Sequence, residues 1–174
     1  TVCECFSRTV SRYPDREACV FYQSGERWTW SELSQKVDQL AAGLLALGVY
    51  KGDRVGIWSP NKPEWVLAQF ATARIGAILV NINPAYRRAE LKYALAKVGV
   101  KVLITAESFK SSNYLEMLTD LIPELATSKP ENLSSSEFPL LTSIIKIGLV
   151  SQRGMFCFQE IMENGTTAYL MRLD

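Results

Sequence analysis

The sequence predicts an α/β fold with a parallel-rich sheet, and two observations carry that reading. Short apolar runs begin near Arg54, Ala77 and Val100, a spacing of ~23 residues that leaves room for one helix between successive strands. Each run is preceded by an amphipathic stretch that stops at a glycine, Gly48, Gly76 or Gly99. Alternating strand and helix implies parallel strands joined by right-handed crossovers. Three or four such strands are expected.

The first 27 residues are expected as an opening helix and hairpin. Phe6 and Val10 lie on one helical face, Tyr13-Pro14-Asp15 ends it, and Ala18–Tyr22 pairs with Glu26–Thr29 around Ser24-Gly25. Residues 28–150 form the expected α/β core. Thr29 with Glu32 has the spacing of a capping box, and Leu33, Val37, Leu40, Leu44 and Leu47 line one face of the helix that follows. Arg54–Ser59 is a strand, and Asn61 with Glu64 starts the next helix, with Pro63 tolerated in its first turn. The run from Ala77 closes at Asn83-Pro84. A third helix carrying Leu91, Leu95 and Val98 gives way to the strand Val100–Thr105. Tyr114, Met117, Leu118, Leu121 and Ile122 then make a helix ended by Pro123. Residues 127–137 form a surface loop rich in Ser, Pro and Lys, and Ser143–Gly148 is the last strand. Residues 151–174 read as a connector.

Composition narrows the function. The chain has 174 residues, 48% hydrophobic and 21% charged, with a net charge of +1, so nothing calls for nucleic acid as a partner. No apolar run approaches the ~20 residues of a membrane span. Histidine is absent, which excludes Ser-His-Asp and Cys-His nucleophilic sites. Four cysteines, Cys3, Cys5, Cys19 and Cys157, read as reduced thiols rather than a metal site, because the single C-x-C pair has neither a second pair nor a histidine beside it. Glu107, Glu116 and Asp120, at helical spacing with Lys110, read as a solvated face.

Trp28-Thr29-Trp30-Ser31-Glu32-Leu33, Lys51-Gly52-Asp53-Arg54-Val55, Glu64-Trp65, Ile75-Gly76-Ala77 and Asn83-Pro84, in this order and spacing, resemble the N-terminal part of the acyl-adenylating (AMP-forming) enzymes. Gly48 to Asn61 resembles most the mitochondrial medium-chain acyl-CoA synthetase branch. The resemblance implies a reaction in which a fatty acid attacks the α-phosphate of ATP, with Mg2+, to give an acyl adenylate and pyrophosphate. CoA then displaces AMP. It also implies a mitochondrial address, the alternative being cytoplasmic. The family's Thr-Ser-Gly-Thr-Thr-Gly phosphate loop has no counterpart here. Gly165-Thr166-Thr167 is a local echo with the wrong neighbours, and no lysine follows Lys146. The expectation is therefore the first part of the large N-terminal domain, inactive alone, with ATP, Mg2+ and CoA belonging to the parent enzyme and none expected to bind productively to this chain. No catalytic or metal-ligating residue is assigned.

Two groups are candidates for contact. Arg87, Arg88 and Lys92 put cations at the start of the third helix, where the helix dipole disfavours them, so they are expected either to meet an anion such as a CoA phosphate or to form a solvated basic face. Trp58, Trp65 and Phe70 either line an acyl pocket or belong to the core. The alternative to a ligase part is a truncated, non-catalytic interaction module that self-associates through exposed sheet surface. A complete small nucleotide-binding protein is excluded, because Pro60-Asn61-Lys62-Pro63 follows the first parallel strand where a glycine-rich loop is needed.

Overall fold

In a computed structural model that describes residues 1–165 and 169, a parallel sheet is covered by helices on both faces. Helix α1 (Val2–Arg12) is capped by Thr1 and Glu4 and buries Phe6, which stacks on Phe70 at 4.5 Å between ring centroids. Strands β1 (Glu17–Phe21) and β2 (Glu26–Thr29) form the expected hairpin, turning at Gly25 with φ 74°. The Thr29–Glu32 capping box opens α2 (Trp30–Ala46). The Thr29 hydroxyl accepts from Glu32 N–H at 3.2 Å, and Glu32 Oε2 accepts from Thr29 N–H at 2.8 Å. Leu33, Val37, Leu40 and Leu44 are buried, as their spacing requires.

The main sheet follows: β3 (Arg54–Trp58), α3 (Pro63–Arg74), β4 (Ile78–Ile82), α4 (Arg88–Val98) and β5 (Val102–Thr105). After a two-residue hairpin of β6 (Ser108–Phe109) and β7 (Ser112–Asn113) come α5 (Tyr114–Leu121), β8 (Ser143–Lys146), β9 (Phe156–Cys157) and α6 (Phe158–Glu163). Among the described residues the order is β4-β3-β5-β8-β9, all parallel. Val55, Ile57, Val102, Ile104 and Ile145 face a core shared with α1, α2, α3 and α6. The alternate residues Leu103 and Ile144, with Trp58 and Ile82, face a second core under α4 and α5.

Four expectations are corrected. The sheet has five strands rather than three or four, because β9 is only two residues long and carries no period that a sequence pattern reveals. Helix α3 is capped at Lys62, not Asn61, with no side-chain cap: Pro63 takes the first helical position, and a lysine has no oxygen to offer. Glu107 and Lys110 share no helix with Glu116 and Asp120. Lys110 turns the β6-β7 hairpin at φ 52°, and only the other two lie on α5. The 127–137 loop is not wholly superficial, since it tucks Leu133 and Ser135 into the interior.

Candidate functional site

The carboxyl ends of parallel strands are where open α/β sheets place their ligands. Here the loops after β4 and β5 meet. Asn83-Pro84 turns the chain out of β4, with Asn83 Oδ1 accepting from Ala85 N–H at 2.9 Å. Two buried rings hold this turn. Trp58 and Tyr114 stack at 3.5 Å between centroids, 7° from parallel. Trp58 Nε1 donates to the Asn83 carbonyl at 3.2 Å, and the Tyr114 hydroxyl donates to the Pro84 carbonyl. Burial pushes that phenol up to about 12.

The turn delivers Arg87 to the N-cap of α4, where its N–H is bonded by Glu90 Oε2 at 3.1 Å. Across a cleft of about 300 Å³, the β6-β7 hairpin presents Ser111, Ser112 and Asn113. Arg87 Nη2 donates to Ser111 Oγ at 3.4 Å, and Asn113 caps α5 by accepting from Glu116 N–H at 3.1 Å. Two helix N-termini and two guanidinium groups, Arg87 and Arg88, thus border the same space, an arrangement suited to an anion. Glu116 also lines the cleft and opposes that field.

The three predicted cations separate. Arg87 and Arg88 both line the cleft, but Arg88 is ion-paired with Asp120. Lys92 points elsewhere, pairing with Glu137 at 3.0 Å. The aromatic trio separates as well: Trp58 sits in the core under α4 and α5, and Phe70 packs on Phe6 in the other core. Trp65 lines a distinct cleft of about 520 Å³ beside the β1-β2 hairpin. The contributions of Ser111 and Asn113 went unassigned, although Asn113 just ahead of an apolar run carries the signature of a helix cap.

Among the described residues no loop offers a phosphate cradle of neighbouring glycines; Gly48 and Gly52, the two nearest in a loop, are separated by three residues. Thr166 and Thr167 of the local echo lie outside the described residues. Among those described, no group of three His, Cys, Asp or Glu side chains gathers to hold a metal ion, and no helix is long and apolar enough to cross a membrane.

A family described as AMP-binding enzyme matches residues 6–170. The chain belongs to the AMP-binding enzyme family. Among its curated relatives, the mitochondrial medium-chain acyl-CoA ligase ACSF2 of Danio rerio is 46% identical over 173 residues, 99% of this chain and 28% of the relative. The Homo sapiens ligase of the same name is 41% identical over 167 residues, 96% of this chain and 27% of that protein. The acetoacetyl-CoA synthetase of Streptomyces lividans superposes with a TM-score of 0.74 at 27% identity, covering 92% of this chain and 24% of that structure. This AMP-binding enzyme chain therefore spans little more than a quarter of the length of the relatives it matches. Its parallel α/β unit shares the fold of the N-terminal domain of the acyl-CoA ligases it superposes on.

Proposed function

We propose that this chain forms the first part of the N-terminal domain of a mitochondrial acyl-CoA synthetase acting on medium-chain fatty acids, and that by itself it does not complete the reaction. The observation carrying this reading is 46% identity across nearly the whole chain to a ligase named for that activity and compartment. The described residues supply a scaffold and one anion-receptive cleft, whereas acyl transfer through an adenylate needs charge stabilisation at phosphorus that this set lacks. ATP and Mg2+ serve the parent reaction. For CoA, the cleft suits a phosphate group: Arg87 and the N–H groups opening α4 and α5 would hold it, Ser111 Oγ would donate a further bond, and Arg88 would contribute only by leaving its pair with Asp120. Lys92 is neutralised by Glu137 and takes no part.

The test is a chimera in which these residues replace the matching part of the Danio rerio ligase. It is expected to make octanoyl-CoA, while the chain alone exchanges no pyrophosphate into ATP. Arg87→Ala in the chimera is expected to raise KM for CoA about tenfold, with KM for ATP and octanoate unchanged. A folded chimera without ligase activity, or exchange by the chain alone, would overturn the reading. A second reading, self-association, is favoured by the outer edge of β4, the terminal strand of the sheet, where Ile78 is 51% exposed.

A further inference from the structure

One row of residues crosses all five parallel strands at their carboxyl end. The strand register aligns Ile82, Trp58, Thr105, Lys146 and Cys157, and register partners in a parallel sheet share a face. Lys146 is the outlier in this row. Its side chain is only 7% exposed, and its ammonium, with three protons to donate, makes no hydrogen bond among the described residues. The facing carboxylate is Glu107 at 3.8 Å, beyond hydrogen-bond reach and itself 69% exposed. Thr105 Oγ1 donates to the Ala106 carbonyl at 3.0 Å and Cys157 Sγ donates to the Gly148 carbonyl at 2.8 Å, and among the described residues neither accepts from the ammonium.

Space beside the ammonium is open. A Cβ placed on Gly148 would lie 3.9 Å from Lys146 Nζ and within 4 Å of nothing else outside its chain neighbours. The next two residues, Leu149 and Val150, are 83% and 71% exposed, two consecutive aliphatic side chains presented to solvent. A phosphate asks for several convergent donors, which the described residues do not gather here. An ammonium on a buried lysine stem, next to Gly148 and the two exposed aliphatic residues that follow it in the chain, matches a single carboxylate with a hydrocarbon tail.

We propose that Lys146 receives the carboxylate of an aliphatic acid whose chain lies along Leu149 and Val150. The site is distinct from the Arg87 cleft, which follows β4 and β5, whereas this one follows β8. Only the acid's role as a substrate rests on the ligase reading. Glu107, 69% exposed and 3.8 Å away, competes for the ammonium, and its carboxylate can turn out to solvent at little cost.

The experiment is an NMR titration of the 15N-labelled chain with sodium octanoate, with octanol and inorganic phosphate as separate arms. Octanoate is expected to shift the amides of Gly148, Leu149 and Val150; octanol is expected to do so about tenfold more weakly, and phosphate not to shift them. Lys146→Met should weaken octanoate binding about tenfold, with Lys146→Arg retaining part of it, and Glu107→Gln should tighten it several-fold. Glu107 is a surface residue, so its variant stays informative if Lys146→Met unfolds. Shifts elsewhere or none, phosphate matching octanoate, undiminished binding by folded Lys146→Met, or no gain in Glu107→Gln would each overturn the assignment. ATP is absent throughout, so a negative result leaves the ligase reading standing, and an inactive chimera leaves the binding result standing.

Discussion

Tyr114 shows how much one side chain does here. It stacks on Trp58, its hydroxyl fixes the turn that leads to Arg87, and burial raises its ionisation to about 12. An unfolded tyrosine ionises near pH ~10. Between those values the unfolded chain has released a proton that the folded chain still holds, so stability falls as pH rises through this window. Urea unfolding from pH ~9 to ~12 should therefore show a declining midpoint, and Tyr114→Phe should flatten that decline while lowering stability at neutral pH by about 1 kcal/mol. An unchanged alkaline slope in Tyr114→Phe would refute the argument. Tyr114 was legible as a helix position but not as the partner of Trp58, because stacking between residues 58 and 114 depends on the register of β3 with β5 and leaves no local pattern. Lys146 was hidden for the same reason: a lysine inside Ser143–Gly148 reads as the solvent face of a strand until both faces of the sheet prove to be covered.

At the scale of elements, the contact between α2 and α6 is the most demanding. A Cβ added at Gly43 would lie 2.0 Å from the Ile161 carbonyl oxygen, so the backbone of α6 rests directly on α2. Gly43→Ala is expected to destabilise the chain by about 1–3 kcal/mol despite alanine's better helix propensity, because α6 must lift away. Faster amide exchange around Ile161 would accompany a lower urea midpoint, whereas a stabilised variant would show that α6 is not seated there. Helices α2 and α4 were readable because their apolar spacing and glycine stops are local signals, and Gly48 and Gly99 do adopt left-handed backbone at φ 77° and φ 66°. The β6-β7 hairpin and β9 were not, since two-residue strands have no periodicity and owe their existence to neighbours already in place. For the cleft, the cations were visible in sequence; their division among Ser111, Asp120 and Glu137 follows only from the packing of α4 against α5 and the loop that carries Glu137.

For the whole molecule, the three layers protect the faces of the sheet better than its edge. From Ala77 to Ile82 no charged residue or proline discourages a further strand from pairing with β4. Sedimentation velocity of the chain should reveal a concentration-dependent dimer that Ile78→Lys abolishes; a strict monomer, or a dimer indifferent to Ile78→Lys, would exclude this edge as the contact. The order of strands has another consequence. β4 joins one side of β3, and β5, β8 and β9 then join the other side in succession, so each new strand meets an exposed border and none must wedge between two already paired. A polypeptide emerging residue by residue from the ribosome can therefore build this sheet outward in the order of synthesis, without undoing any pairing it has already made.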